Sequence, residues 1–344
     1  MKIPPSLPAE CELPLPTPPD IYRWSENFCY QVYDEASNLT VWFHIGLSAH
    51  DIGVWHEKIF FYLPDGEELL VTRNFSARKL QSFSGPSGAT LRGEYDAASG
   101  EWLWRFQGVA ERVRRSDLYL GLKREGIVEP ASFELRYSGI CPVWDLTPNV
   151  ADQVWAVKGA HWEQPCTVSG WVEYGGKRTV IDGHGIRDHS RGVRDFSQMG
   201  PSYWMHGQFP SGRAFGFVYL TPTETQPNGL SHAYVVYDGA LLDAEVMFLP
   251  ADRSFKQPFE ICFRDLKGEH RLTGELLHEV PFTIWYPYEY AIGHDRSRAA
   301  HLFHEGQIRW NWDGETGYGL GERSVKLDKN GVVEISSITA VNLV

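Results

Sequence analysis

Basic residues are in short supply. The 344-residue chain carries 32 Lys plus Arg against 44 Asp plus Glu, a formal net charge of −12. A sequence-independent grip on nucleic acid needs a basic footprint, and anionic lipid heads repel such a surface. Both partner classes are therefore excluded, and a hydrophobic ligand has to come to the protein. No run of 18 apolar residues occurs, which leaves no membrane-spanning helix. The five cysteines (Cys11, Cys29, Cys141, Cys166, Cys262) are odd in number, widely spaced and without any Cys-x-x-Cys. That pattern argues against a disulfide framework or a thiolate metal knot and predicts reduced thiols in a cytoplasmic protein. The first 20 residues lack the unbroken apolar core of a signal peptide, because Pro4, Pro5, Pro8, Pro14, Pro16, Pro18 and Pro19 interrupt them. They read as an extended polyproline-II arm, and the sequon patterns at Asn38 and Asn74 are discounted accordingly.

Long amphipathic helical periods are nearly absent, and methionine is scarce at four residues. Rings take their place: 14% of residues are aromatic, 13 of them Trp. That is the stiff interior buried by sheets. Short alternating apolar and polar runs recur along the chain, including Asn27 to Asp34, Asn38 to Ser48, Glu101 to Val109, Cys166 to Tyr174 and Gly306 to Trp312. Their breaks, such as Pro64-Asp65-Gly66 and Gly175-Gly176, are turn chemistry. Val109 to Glu125 fits either a helical turn or a charged edge strand, and Ser297 to His304 fits a helical turn. The expected fold is all-β, with two tandem antiparallel barrels or sandwiches. The organisation is an arm over residues 1–20, an N-terminal β-domain over 21–150 and a C-terminal β-domain over 151–344.

The stretch from His161 to His206 crowds proton-moving groups among rings, β-branched residues and glycine. If Thr179 to Asp188 is a strand, its period of two puts Asp182, His184, Ile186 and Asp188 on one face and Arg187 and His189 on the other. Acids and a histidine on an otherwise apolar face suggest a wet pocket floor. A structural reading competes with it, namely an ion-pair network of Asp188 or Asp195 with Arg187, Arg191 or Arg194.

His161-Trp-Glu-Gln-Pro165, Asp182-Gly-x-Gly-x-Arg-Asp-His-Ser-x-Gly-Val-Arg-Asp195, the aromatic pair after it and Gly317-Tyr-Gly-Leu-Gly-Glu322 resemble the superfamily of carotenoid 1,2-hydratases (hydroxyneurosporene synthases) and their AttH-like relatives. The resemblance is strongest across residues 155–220, weaker over 306–322 and thin over the first 140. It implies two lipocalin-like β-domains in tandem. On the hydratase side it implies cofactor-free addition of water to an isoprenoid double bond by an acid in an Asp-His-Asn-x-Gly-like segment, here Asp188-His189-Ser190-Arg191-Gly192. Ser190 stands in place of that Asn, and Arg191 where relatives usually carry Trp, so a carotenoid substrate does not follow.

Protonating an alkene carbon needs a carboxylic acid that is still protonated near neutral pH, and burial among rings raises a carboxyl pKa in that direction. Asp188 is the expected donor, with His189 and Arg187 tuning or orienting it, while Glu163 or His161 handles water or a departing proton. Rings of Trp162, Tyr203, Trp204, Trp285, Tyr286 or Tyr288 can stabilise a cation by about 0.5–2 kcal/mol each. Asp182, His184 and His206 complete the expected lining. The predicted activity is a cofactor-independent lyase or isomerase, of hydratase, dehydratase or cyclase type, on an apolar isoprenoid or polycyclic substrate, in a monomer or homodimer. The alternatives are a non-catalytic lipocalin-type carrier and a carbohydrate-active sandwich with two carboxyls about 5 to 9.5 Å apart. No metal site is expected, because His301-Leu-Phe-His304-Glu305 lacks the His-Glu-x-x-His order. The Gly317-Tyr-Gly-Leu-Gly321 run reads as a strand needing close backbone approach.

Overall fold

The computed structural model describes residues 3–48, 50–78, 84–150, 159–285, 289–334 and 341–342. They group into two compact units, one of Met1–Arg114 with Arg124–Arg194, the other of Arg115–Lys123 with Asp195–Val344.

The first unit contains β1 (Trp24–Asp34), β2 (Leu39–Ser48), β3 (Asp51–Tyr62), β4 (Glu68–Ala77), β5 (Leu91–Asp96), β6 (Glu101–Arg114), β7 (Ile127–Gly139), β8 (Trp144–Asp145), β9 (Ala160–Tyr174) and β10 (Lys177–Val193). Pairing runs β10-β1-β2-β3-β4-β6-β7-β9, and β9 pairs back to β10, so eight antiparallel strands close on themselves. Alternation decides what the barrel encloses. Phe28, Tyr30 and Val32 of β1 and Leu39, Val41, Phe43, Ile45 and Leu47 of β2 point into one core with Trp102, Trp104, Phe133 and Tyr137. Eight strands leave room only for side chains, and these rings fill it edge to face. Tyr30 lies 4.8 Å from Trp104 and 4.9 Å from Tyr137 between centroids, arrangements worth about 0.5–1.5 kcal/mol each beyond burial.

The second unit contains α2 (Arg115–Leu120), β11 (Ser202–Gln208), β12 (Ala214–Leu220), β13 (Leu230–Tyr237), β14 (Ala240–Leu249), β15 (Phe259–Asp265), β16 (Gly268–Trp285), β17 (Glu289–Ile292), β18 (Ala300–Trp312), β19 (Glu315–Leu327) and β20 (Val341–Asn342). The order β13-β12-β11-β19-β18-β16-β15-β14, closed by β13 with β14, makes another eight-stranded ring. Its core is Tyr203, Met205, Phe215, Phe217, Phe263, Trp310, Trp312 and their neighbours. Gly319 is the close approach expected of the glycine run, since a Cβ there would lie 1.9 Å from the His206 carbonyl oxygen.

Three expectations are corrected and one pair of alternatives is resolved. The units divide after Arg194, so the Arg-Asp-His-Ser segment belongs to the first unit and not to a domain beginning at residue 151. The reason is register: β9 pairs β7 and β10 pairs β1, which makes both strands part of the first ring. Residues 1–20 are not simply an extended arm. They contain α1 (Ala9–Glu12), and Ala9, Leu13 and Leu15 pack on the first core. Val109 to Glu125 contains both of its alternatives, with β6 running to Arg114 and α2 following. Ser297 to His304 enters β18 at Ala300, because that segment pairs with β16 on one side and β19 on the other.

Candidate active site

The β9–β10 hairpin builds the site. Its turn uses Gly175 and Gly176 at φ 55° and 72°, left-handed values that favour glycine, and this sets Glu163 opposite Asp188 and His161 opposite Ser190. Gly185 lets β1 press close, since a Cβ on it would sit 2.1 Å from the Gln31 carbonyl oxygen. With side chains alternating, His161, Glu163 and Asp188 share the face that points away from the barrel core.

On that face His161 Nε2 lies 3.2 Å from Glu163 Oε1 and forms a closer ion pair with Asp188 Oδ2. The side chains are 15%, 0% and 8% exposed, respectively. One donor atom from each of the three falls within 4.8 Å of the others. Burial pushes the His161 imidazole down, but the Asp188 carboxylate and the contacts with Glu163 outweigh it and raise the group to about 10. Asp188, the expected acid, thus does not stand alone but lies against His161, with Glu163 beside it. The competing arginine network does not form at Asp188 among the described residues, because Arg187 and Arg191 project toward the core side and are engaged there.

Arg187 donates to both Glu12 oxygens at 2.5 and 2.8 Å and to Gln164 Oε1 at 2.7 Å. Burial raises the Glu12 carboxyl, but Arg187 reverses this and holds it below its ordinary value. The His189 ring stacks on Phe28 at 4.0 Å, lies 5.2 Å from Trp162, and has Nε2 3.1 Å from Glu26 Oε1. Arg191 sits 4.9 Å over the Trp162 ring and donates to the Glu10 and Cys11 carbonyl oxygens. Arg187 and Arg191 therefore tie the N-terminal segment to the barrel from its core side, with the His189 and Trp162 rings packed beside them. Asp182 is exposed and His184 half-buried further down β10, so neither joins the trio.

The remaining predicted residues lie in the second unit. Tyr203 is a core ring whose hydroxyl donates to the Pro250 carbonyl at 2.6 Å, with Arg253 4.0 Å over it. His206 Nδ1 accepts from the Leu320 amide at 3.0 Å, a structural role. Trp204 is buried on the face opposite that core, and Trp285 carries the Arg298 guanidinium at 4.5 Å. Tyr286 and Tyr288 lie outside the described residues. His301 and His304 sit on opposite faces of β18 and present no common ligand point. Burial, then Lys326, holds His301 at about 3, whereas His304 lies 3.6 Å from Glu279.

Sequence reasoning missed a row beside the trio. Register runs straight from Asp188 to Cys29, His44 and Lys58 across β10, β1, β2 and β3. All are buried, Lys58 to 2% exposure. Burial, then Lys58 and the stacked ring of His56, keeps His44 well below the ordinary histidine value. The available signal was alternation: Phe28, Tyr30, Phe43, Ile45, Ile59 and Phe61 take the core, which leaves Cys29, His44 and Lys58 together on the other face.

Comparison with solved structures places the fold. A candidate AttH from Nitrosomonas europaea matches at 12% identity and TM-score 0.57, covering 91% of this chain and 94% of that one. Kievitone hydratase from Nectria haematococca matches at 12% identity and 0.55, covering 87% and 88%. CghA with Sch210972 matches at 10% identity and 0.53, covering 96% and 95%. At these identities the likeness is one of fold. No curated protein sequence matches the chain. The family described as "Domain of unknown function (DUF7064)" matches residues 9–325, and the chain, with its two closed barrels and its His–Glu–Asp trio, belongs to that family.

Proposed function

We propose that the protein is a proton-transfer catalyst of hydratase, dehydratase or cyclase type, a lyase or isomerase acting without a cofactor on an apolar isoprenoid or polycyclic substrate. The observation that carries this reading is the convergence of His161, Glu163 and Asp188 in a buried setting. Acid/base chemistry needs a donor and acceptors within hydrogen-bond reach, and the trio supplies both. The fold shared with kievitone hydratase supports the hydratase form. A carotenoid substrate has less support, because Ser190 and Arg191 depart from that pattern.

In hydration, a proton from the Asp188–His161 pair, delivered by the Asp188 carboxyl in its acid form, goes to one alkene carbon, the π pair becoming the new C–H bond. Water attacks the adjacent cation, and its surplus proton passes to Glu163. Dehydration is the reverse. In cyclisation a second π bond replaces water and a proton leaves to a carboxylate. Asp188 holds His161 aimed, while Arg187 and His189 keep β10 in register from the core side.

The test is turnover on a panel of prenyl alcohols, steroids and kievitone, comparing the native protein with Asp188→Asn and His161→Gln. Product formed by the native chain and lost in both variants supports the reading, and unchanged turnover in the variants removes the trio from it. Recovery of a stoichiometric, unaltered ligand by native mass spectrometry, with no turnover, would favour the carrier. The carbohydrate reading loses ground, since the carboxylates converge within 4.8 Å with His161 between them and no water-wide gap.

A further inference from the structure

Ser190 lies directly across the β9–β10 ladder from His161 and directly across the β10–β1 ladder from Asn27. Opposed residues in antiparallel strands share a face, with Cβ atoms about 4.5–5.5 Å apart. A row of His161, Ser190 and Asn27 therefore runs beside the row of Glu163, Asp188 and Cys29 on the outer face of the first barrel. The first row is polar throughout and is not sealed. The His161 side chain keeps 15% exposure, Ser190 6% and Asn27 7%, against 0% for Glu163.

The hydrogen-bonding capacity of this row is only part spent. His161 reaches both acids through Nε2, which leaves Nδ1 as its second nitrogen. Asn27 Oδ1 accepts from Ser25 Oγ at 3.1 Å, which leaves the amide nitrogen. Gly46, across from Asn27, gives that amide its room, since a Cβ there would lie 2.4 Å from Asn27 Oδ1. Among the described residues no group bonds to the Ser190 hydroxyl, to His161 Nδ1 or to the Asn27 amide nitrogen. A hydroxyl donates and accepts, an amide N–H2 donates, and an imidazole nitrogen does either according to its protonation. A ligand oxygen matches such a row. A bare hydrocarbon laid on it would displace water and return no hydrogen bond, which is costly for buried polar groups.

We infer that Ser190 is a specificity-determining residue: its hydroxyl, with His161 Nδ1 beside it, takes a hydroxyl or carbonyl oxygen of the substrate. The substrate class is then an oxygenated apolar molecule and not a bare hydrocarbon. This inference rests on the acid/base reading of the trio and narrows its substrate. Ser190 and Asp188 are two residues apart on one face of β10, roughly 6.6–6.8 Å along the strand. The reacting carbons therefore stand a few bonds from the anchored oxygen. Asn27, two strand spacings or roughly 9.5 Å from His161, extends the row for a second polar atom of a larger ligand.

The experiment uses the whole chain and two matched pairs of probes, geraniol with its deoxy hydrocarbon and borneol with bornane. Binding is followed by quenching of intrinsic tryptophan fluorescence. The native protein should bind each alcohol roughly tenfold or more tighter than its hydrocarbon, because a site built for an oxygen rejects the analogue lacking it. Ser190→Ala should weaken the alcohols to near the hydrocarbon level and leave the hydrocarbons unchanged, and Ser190→Thr, which keeps the hydroxyl, should retain the preference. Ser190→Cys, with only a weak donor, serves where Ser190→Ala fails to fold by circular dichroism, and it should lose the preference as well. Equal binding within both pairs by the native chain, a preference that survives loss of the hydroxyl, or no binding of any probe would overturn the inference. A native chain that shows the preference but turns nothing over removes only the catalytic reading. One that converts hydrocarbons as readily as alcohols removes only this one.

Discussion

His161 meets Asp188 on the diagonal of the β9–β10 ladder and not directly across it, since Asp188 stands opposite Glu163 and His161 opposite Ser190. Opposed residues in an antiparallel pair bring Cβ atoms to about 4.5–5.5 Å, with diagonal neighbours farther but still in reach of long side chains. The imidazole therefore spans the diagonal and touches both acids at once, so the three side chains form one contact cluster.

Residues acting as a unit give non-additive losses. Asp188→Asn, His161→Gln and Glu163→Gln should each lower kcat/KM by roughly 10²–10⁴-fold, the range of general acid/base catalysis. The triple variant should be scarcely worse than the worst single one. A triple variant whose losses multiply would show three separate contributions.

Breaking the Glu12–Arg187 pair should cost stability. Removing one partner of a buried, hydrogen-bonded ion pair leaves an uncompensated charge, typically about 3–5 kcal/mol. Glu12→Gln should lower the urea midpoint of the first unit, and Glu12→Leu with Arg187→Met should recover much of it, because a buried pair replaced by apolar residues is often neutral or better. A midpoint unchanged in Glu12→Gln would show that the contact contributes little.

Acid should loosen the second unit through Glu279. Burial raises this carboxyl, but Arg323 and His304 more than reverse that and hold it at about 2, against 4.5 for the free group. Tyr119 on α2 donates a further hydrogen bond to it. The folded pKa lies below the unfolded one, so the contribution is fully present above pH 4.5 and is lost as pH falls from 4.5 toward 2. Its size is on the order of 3 kcal/mol by linkage. Urea midpoints over this range should fall steeply in the native chain and be flatter in Glu279→Gln. Parallel curves would assign the acid sensitivity elsewhere.

Gly319→Ala should destabilise the second barrel. The new methyl meets the His206 carbonyl oxygen at 1.9 Å, a backbone atom that cannot rotate away. Overpacking of this kind costs about 1–3 kcal/mol or more. Thermal unfolding of the variant at or above the native midpoint would contradict the closeness of β11 and β19.

Much of the fold was legible because period-two patterning survives tertiary context. Asn27 to Asp34 lies within β1 and Asn38 to Ser48 matches β2 but for its first residue, and the separation of Asp188 from Arg187 onto opposite faces follows from alternation alone. The division after Arg194 was not legible, since pairing partners depend on residues far away in the chain. Nor was the place of Glu12, because a proline-broken segment gives no periodic signal. The buried polar row through Cys29, His44 and Lys58 escaped for a related reason: polar faces of strands usually meet water, and nothing local says that this one does not. His161 was singled out, but as one choice for handling water, and the charge it acquires from two acids depends on a register no single segment encodes.

The first ring closes with its last strand upon its first. β1 begins at Trp24, and the β10 partner of that residue is Val193, while Glu12 waits for Arg187, 175 positions downstream. During synthesis at roughly 5–20 residues per second, the leading strands are made many seconds before their closing neighbour leaves the ribosome. Through that interval one edge of β1 is an open template for misplaced pairing, and closure of this ring waits for the hairpin that also holds His161, Glu163 and Asp188.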